Sequence, residues 1–342
     1  MPWRRLATPL LCLALALVAA PSSSADEALP ERSMTEAITT AAATGDVLTV
    51  VQSDSVAAAS FSATRVLCPA GWVAVGGGVD PFNVFLMEVT SSAPVFAQNN
   101  ERLLFQPDGE QPAPNGWQVS IRNHDSAVQT YKAAVICTRD TTVNTIVGSA
   151  TIAAGTFNGQ SVTCPHEQVA VGGGVDLFNV LAMTVTSSGP SFGSQRLLLQ
   201  PNGDHPAPNG WRAIARNDDA TPRLLKVAVI CSSAPSIRSV VTSGTAGANT
   251  FAVTRAACPP NMVALHGGLD PFNVLEMRLT TSAPFFAAGG GTRLLFQPDG
   301  EHGAPSEWWA GVRNYLSTAQ SYKVAVICKP PVYTVDLPLI IR

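Results

Sequence analysis

Cys68-Pro-Ala-Gly-Trp-Val-Ala-Val-Gly-Gly-Gly-Val-Asp80 is one of three copies of the same stretch. The second runs Cys164-Pro-His-Glu-Gln-Val-Ala-Val-Gly-Gly-Gly-Val-Asp176 and the third Cys258-Pro-Pro-Asn-Met-Val-Ala-Leu-His-Gly-Gly-Leu-Asp270. The copies lie 96 (68 to 164) and 94 (164 to 258) residues apart. Downstream the match stays in register. Arg-Leu-Leu begins at 102, 196 and 293, Trp117, Trp211 and Trp308 follow, and Arg-Asn comes at 122, 216 and 313. Each unit then closes on an apolar run ending in Cys137, Cys231 or Cys328. Solenoid and propeller repeats run about 20 to 50 residues, so a period near 95 describes an array of small domains. The expected limits are 47–139, 140–233 and 234–330.

Within a unit the pattern is β throughout. Phe61 to Leu67, Trp72 to Val79, Val84 to Thr90, Arg102 to Gln106, Trp117 to Arg122 and Tyr131 to Cys137 are short runs rich in Val, Phe, Ile and Thr, separated by turn residues. Pro107-Asp108-Gly109, Pro201-Asn202-Gly203 and Pro298-Asp299-Gly300 supply the positive φ that a sharp reversal needs. The predicted fold is all-β, with three tandem, disulfide-tied, β-sandwich-like repeats of about 95 residues. Trp117 comes 49 residues after Cys68 (68 to 117), too late for immunoglobulin topology. Linkers such as Ser232-Ser233-Ala234-Pro235 are too short for free swivelling, so neighbouring repeats should touch.

Of the seven cysteines, Cys12 lies near the N-terminus and the other six fall two to a repeat. The repeat pattern favours Cys68 with Cys137, Cys164 with Cys231, and Cys258 with Cys328. Closing a loop of about 70 residues should stabilise each repeat by roughly 4 kcal/mol on the chain-entropy model. No CxxC pair or neighbouring His pair points to metal ligation instead.

The first 25 residues read as a secretory signal: Arg4 and Arg5, an apolar run from Leu10 to Ala20, then small polar residues before Asp26. That run is shorter than the roughly 20 residues a bilayer span takes. Residues 26–46 form a polar N-terminal linker with a weak helical tendency around Met34 to Ala43. Residues 331–342 form a strand-like tail, expected to pair with the N-terminal segment or an open sheet edge and so close the array. The expected location is secreted, extracellular, periplasmic or at the cell surface, with no membrane span. Charged residues are 13 % of the chain, about half the usual 25 %, and the net charge is −3. That balance argues against a nucleic-acid partner.

No Gly-x-Ser-x-Gly elbow is present. His166-Glu167 begins a zinc-protease-like motif, but Ala170 stands where the second ligand must be. The triple glycine lacks the Lys-Ser/Thr of a phosphate loop and reads as a bulge or a site of close chain approach. No catalytic residue, metal or cofactor is expected. A recurring polar set stands out in a chain so poor in charge: Asp80, Asp176 and Asp270; Asn83, Asn179 and Asn273; Arg102, Arg196 and Arg293; Arg122, Arg216 and Arg313. One reading makes these Arg–Asp pairs and Asx turns that hold loops. The other makes them one ligand site per repeat, with the unrepeated Trp309 as a contact surface. The repeated tryptophans suit the core. A paired-carboxylate hydrolase would use Asp80 and Glu88, the latter read as Thr184 and Glu276 in the other copies.

Cys-Pro-x-Gly, a Val/Ala strand into Gly-Gly-Gly, Ser-x-Pro, Gly-Trp with Arg-Asn, and an apolar strand into Cys together resemble a pattern in exported bacterial proteins of uncharacterised function. Residues 68–94 and 116–137 carry it in the first copy. His266 replaces the first glycine of the third copy, and Glu307 the glycine before Trp308. The resemblance implies secretion and a disulfide-tied β domain, and brings no activity. The function expected is non-enzymatic binding of a polysaccharide, cell-surface or matrix polymer, with repetition providing avidity. An extracellular carboxylate-dependent hydrolase and a purely structural coat or matrix protein are the alternatives. Oligomeric state is not legible.

Overall fold

The structure, a computed structural model, describes residues 45–97, 101–234, 236–286 and 291–331. The signal-like segment, most of the N-terminal linker and the tail from 332 onward lie outside the described residues. The first repeat contributes β1 (Val47–Val56), β2 (Phe61–Leu67), β3 (Val73–Pro81), β4 (Met87–Phe96), β5 (Glu101–Arg102), β6 (Gly109–Gln111), β7 (Gly116–Asn123) and β8 (Gln129–Thr138). The second contributes β9 (Asn144–Ile152), β10 (Phe157–Thr163), β11 (Val169–Leu177), β12 (Met183–Ser191), β13 (Gly203–Pro206), β14 (Gly210–Asn217) and β15 (Arg223–Ser232). The third contributes β16 (Arg238–Ala246), β17 (Phe251–Ala257), β18 (Val263–Pro271), β19 (Met277–Phe286), β20 (Thr292–Arg293), β21 (Gly300–Gly303), β22 (Glu307–Asn314) and β23 (Gln320–Lys329). The run Arg102 to Gln106, expected as a strand, is instead mostly a 3-10 turn, Leu103–Phe105. Leu197–Leu199 and Leu294–Phe296 repeat it.

Each of the three sheets is shared by two repeats. One runs β2-β7-β4 from the first repeat, then β11-β15-β9 from the second, with β6 returning at the far edge. The next runs β10-β14-β12, then β18-β23-β16, then β13. The last runs β17-β22-β19 from the third repeat into β3-β8-β1 from the first, and ends on β21. The order is cyclic, so the third repeat pairs with the first as each repeat pairs with the next. Among the described residues, the third repeat joins the first through β3 with β19 and β1 with β21. Repeats are units of sequence and of covalent closure, whereas sheets are units of pairing between neighbours.

The three disulfides form within repeats: Cys68–Cys137, Cys164–Cys231 and Cys258–Cys328. One hydrophobic cluster takes in Trp117, Trp211 and Trp308 together with buried Val, Ile and Leu residues from each of the three repeats. Each tryptophan is 0 to 1 % exposed, and each indole N–H donates to a serine of its own repeat at 2.9–3.0 Å: Ser92, Ser188 or Ser282. The hydrogen bond satisfies the one polar atom that the buried ring carries. Gly109, Gly203 and Gly300 have φ of 107°, 116° and 117°, a conformation costly for residues with a Cβ. Each reverses the chain into the short strand, β6, β13 or β21, that docks on the next repeat. Among the described residues no helix is long and apolar enough to cross a membrane.

Candidate functional site

The triple glycine is where the repeats meet. Pairing of β3, β11 and β18 with β8, β15 and β23 shifts register at the first glycine position, between Ala74 and Gly76, Ala170 and Gly172, and Ala264 and His266. These are bulges of the kind a glycine in a strand permits. A Cβ on Gly76 would strike the Leu265 carbonyl oxygen and His266, and one on Gly172 would strike the Val75 carbonyl oxygen. The three positions thus converge on a common centre, which has room for a single side chain, the imidazole of His266. Each middle glycine lies against the tryptophan of its own repeat. Each third glycine lies against the backbone of a neighbouring repeat: Gly78 on Ser282, Gly174 on Ser92 and Gly268 on Ser188.

His266 touches all three tryptophans. It stacks on Trp211 with ring centroids 4.8 Å apart and meets Trp308 and Trp117 edge-on at 4.8 and 5.1 Å. Its Nε2 lies 2.7 Å from the Gly173 carbonyl, while the Gly77 N–H points at Nδ1 from 3.4 Å. Those partners select the neutral ring protonated at Nε2. Burial pushes its pKa down to about 3. An imidazole so enclosed is a packing element.

The recurring aspartates and arginines form the seams between repeats. Arg293 of the third repeat reaches Asp80 of the first through Nη2 at 2.5 Å and Nε at 3.2 Å. Arg102 binds Asp176 at 2.6 and 3.2 Å, and Arg196 binds Asp270 at 2.5 and 3.1 Å. Each carboxylate also accepts a backbone N–H from the neighbour's 3-10 turn: Leu295, Leu104 or Leu198 at 3.0–3.1 Å. A hydroxyl completes each set, from Thr281, Ser91 or Ser187. Burial pushes the Asp80 carboxyl up, and Arg293, Leu295 and Thr281 oppose that push. Asp80, Asp176 and Asp270 are at most 3 % exposed and spend their acceptor capacity on protein donors. These three carboxylates are not open to solvent ligands.

Arg122, Arg216 and Arg313 also cross seams, donating to the backbone carbonyls of Leu181, Leu275 and Phe85 of the next repeat. Asn83 and Asn179 donate to Asp125 and Asp219, while Asn273 accepts from the Leu275 and Glu276 N–H groups in its own loop. Glu88, 2 % exposed, receives Arg122 at 2.6 Å, Arg278 at 2.9 Å and the Tyr315 hydroxyl at 3.0 Å. Burial opposes its ionisation, but His124, Arg278 and Arg122 hold its carboxyl well below the usual range. Strand register places Glu88, Thr184 and Arg278 opposite Arg122, Arg216 and Arg313. The third-copy counterpart of Glu88 is therefore Arg278, and reading it as Glu276 was two residues out of register. With Asp80 and Glu88 each enclosed by cations and hydroxyls, no paired-carboxylate geometry faces solvent there.

Sequence reasoning missed two repeated sets. Asn123, Asn217 and Asn314 are buried, and each side-chain amide donates to three backbone carbonyls, as Asn123 does to Val56, Ala57 and Ala127. The Arg-Asn repetition was the signal for them. The Asp-Gly turn supplies the second set: Asp299 accepts from Ser53 at 2.6 Å and Lys132 at 2.9 Å, both in the next repeat of the ring. Asp108 does the same with Ser149 and Lys226, and Asn202 with Ser243 and Lys323.

What these seams present to solvent is apolar. Phe82 follows Asp80 by two residues and Phe296 follows Arg293 by three, and both rings are 66 % exposed. They line an open groove of about 570 Å³ with Leu295, Thr130, Tyr131, Lys132 and the β1 residues Ser53 to Ser55. The same offsets from the other ion pairs place Phe178 (56 %) with Phe105 (65 %), and Phe272 (66 %) with Leu199 (67 %). Trp309, the predicted contact residue, is half-buried. It stacks on Phe285, and the Arg293 guanidinium lies 4.7 Å over its ring and 5.9 Å from that of Phe296.

No family model matches the chain, and a search of curated proteins finds none similar to it. Among solved structures it is similar to a chain described as "The Triple Jelly Roll Fold and Turret Assembly in an Archaeal Virus". That chain is 7 % identical, and the match covers 83 % of this chain and 91 % of that one with a TM-score of 0.19. At that score the likeness carries no argument.

Proposed function

We propose that this is an exported, non-catalytic binding protein that engages a polysaccharide or another cell-surface or matrix polymer along the seams between its repeats. The observation that carries the reading is the exposed apolar pair at each seam, set in place by a buried ion pair just behind it. Apolar side chains exposed singly are ordinary, but pairs repeated at equivalent positions are the pattern expected of contact surfaces. Aromatic faces suit the C–H faces of sugar rings, and three weak contacts on one rigid body gain through effective concentration when a polymer spans them. The three disulfides fit an oxidising, extracytoplasmic compartment. The enclosure of Asp80 and Glu88 weighs against the hydrolase alternative.

The test is sedimentation of the mature protein with a panel of insoluble polysaccharides and with whole cells. Selective pull-down, weakened when Phe82, Phe178 and Phe272 are all changed to Ala, supports the reading. Release of reducing sugar, or no pull-down by any polymer, overturns it.

A further inference from the structure

The three seams differ in chemistry. At the seam between the third and first repeats, Asp54 on β1 stands opposite Tyr131 on β8. The corresponding pairs are Ala150 with Leu225 and Gly244 with Tyr322, so only this groove carries a carboxylate at that place. Asp54 is half-buried and lines the groove. It accepts from the Tyr131 hydroxyl at 3.2 Å, from the Ser55 N–H at 2.7 Å and from the Thr64 hydroxyl. All three are neutral donors, whereas the nearby Lys132 is paired with Asp299. Burial pushes the Tyr131 phenol up to about 12, so it stays protonated and holds the carboxylate in place.

The apolar flanks differ as well. Its two phenylalanines are matched by Phe105 and Phe178 at the next seam, but behind them lies Trp309, where the other repeats have Gln118 and Arg212. Its rim position Thr130 is Leu224 at the next seam and Ser321 at the last. Flat apolar walls, a positioned carboxylate and serine hydroxyls at Ser53 and Ser55 together describe a surface that stacks on a ring and accepts hydrogen bonds from its hydroxyls. A hydrocarbon ligand would leave Asp54 desolvated, and an anionic one would be repelled by it.

We infer that the groove between Phe82 and Phe296 is the principal binding site, that it takes one neutral sugar ring of a glycan with Asp54 accepting its hydroxyls, and that the other two seams add only weaker apolar contacts. This rests on the polymer-binding reading above and narrows it to one site per molecule.

The experiment is calorimetric titration of the mature protein with soluble hexasaccharides of β-1,4-glucan, β-1,3-glucan, mannan and chitin type, alongside sedimentation with the insoluble polymers. The result expected is saturable binding of at least one neutral hexasaccharide at one per chain. Phe82→Ala and Phe296→Ala should each weaken it at least tenfold, Asp54→Asn severalfold, and Phe178→Ala less than twofold. The phenylalanine variants change exposed side chains, and unchanged thermal unfolding establishes that they fold. Binding at three per chain, or equal losses at all three seams, overturns the single-site inference and leaves the polymer-binding reading standing. Pull-down of an insoluble polymer with no hexasaccharide binding overturns the sugar-ring assignment alone. Absence of both overturns the polymer-binding reading itself.

Discussion

Arg293, in the third repeat, forks onto the carboxylate of Asp80, in the first, with its nearer nitrogen 2.5 Å away. The two lie 213 residues apart, and their pairing repeats at the other two seams the contacts of Arg102 with Asp176 and Arg196 with Asp270. The ring is therefore sealed by the chemistry that links consecutive repeats.

Cutting one seam should unsettle the whole ring. Arg293→Ala leaves Asp80 buried without its counter-charge, and breaking a buried pair from one side costs roughly 3 to 5 kcal/mol. Chemical denaturation should show a loss of about 3 kcal/mol in a single transition. A loss below 1 kcal/mol, or a separate early phase for the third repeat, would contradict a shared seam.

No single repeat should fold by itself. Taken alone, residues 45–139 would leave β3 and β4 without their neighbours β19 and β11, and β1 without β21. We expect that segment to be unfolded or to associate, by circular dichroism and size-exclusion chromatography. A stable folded monomer would refute the interleaved sheets.

The central cage tolerates one side chain. Gly172→Ala places a methyl group inside the Val75 carbonyl, a backbone atom that cannot swing away, so the variant should lose more than about 3 kcal/mol or fail to fold. His266→Gly, which copies the other two repeats, should lose about 2 to 4 kcal/mol by leaving a cavity among three indoles. A neutral outcome for both would mean that the repeats do not converge there.

Acid should destabilise the protein through His266. Its pKa is depressed when folded, to about 3, against about 6.5 when unfolded. Its contribution is thus complete above pH 6.5 and is lost as pH falls toward 3, at about 1.4 kcal/mol per pH unit below 6.5. Unfolding free energies should fall by about 2 kcal/mol between pH 7 and 5. His266→Gly should flatten that slope, and an unchanged slope in the variant would rule out the buried neutral ring. Glu88, depressed by its cations, acts lower on the scale. Its stabilisation is present above the ordinary carboxylate range and disappears as pH falls below it.

Much of this was legible locally. The triple glycine announced close chain approach, the Asp-Gly and Asn-Gly turns announced positive φ, and the repeated tryptophans announced a core. Strand Phe61–Leu67 was read to the residue. Pairing partners were not legible. Asp80 and Arg102 look like natural partners within one repeat, yet Asp80 binds Arg293 and Arg102 binds Asp176. The groove residues Phe82, Phe296 and Asp54 escaped notice because a single apolar or acidic residue carries no signal by itself. Only their juxtaposition across a seam distinguishes them.

The amino-acid order alone determined the all-β class, the triplication and the cysteine pairing, because each is written in spacing and in the alternation of side chains along one strand. Tertiary structure alone decided which repeat completes which sheet, where the charges are spent and which surface is left open. Identical repeats offer identical edges, and nothing in a local pattern distinguishes a strand's own repeat from its neighbour until the chain has closed around His266.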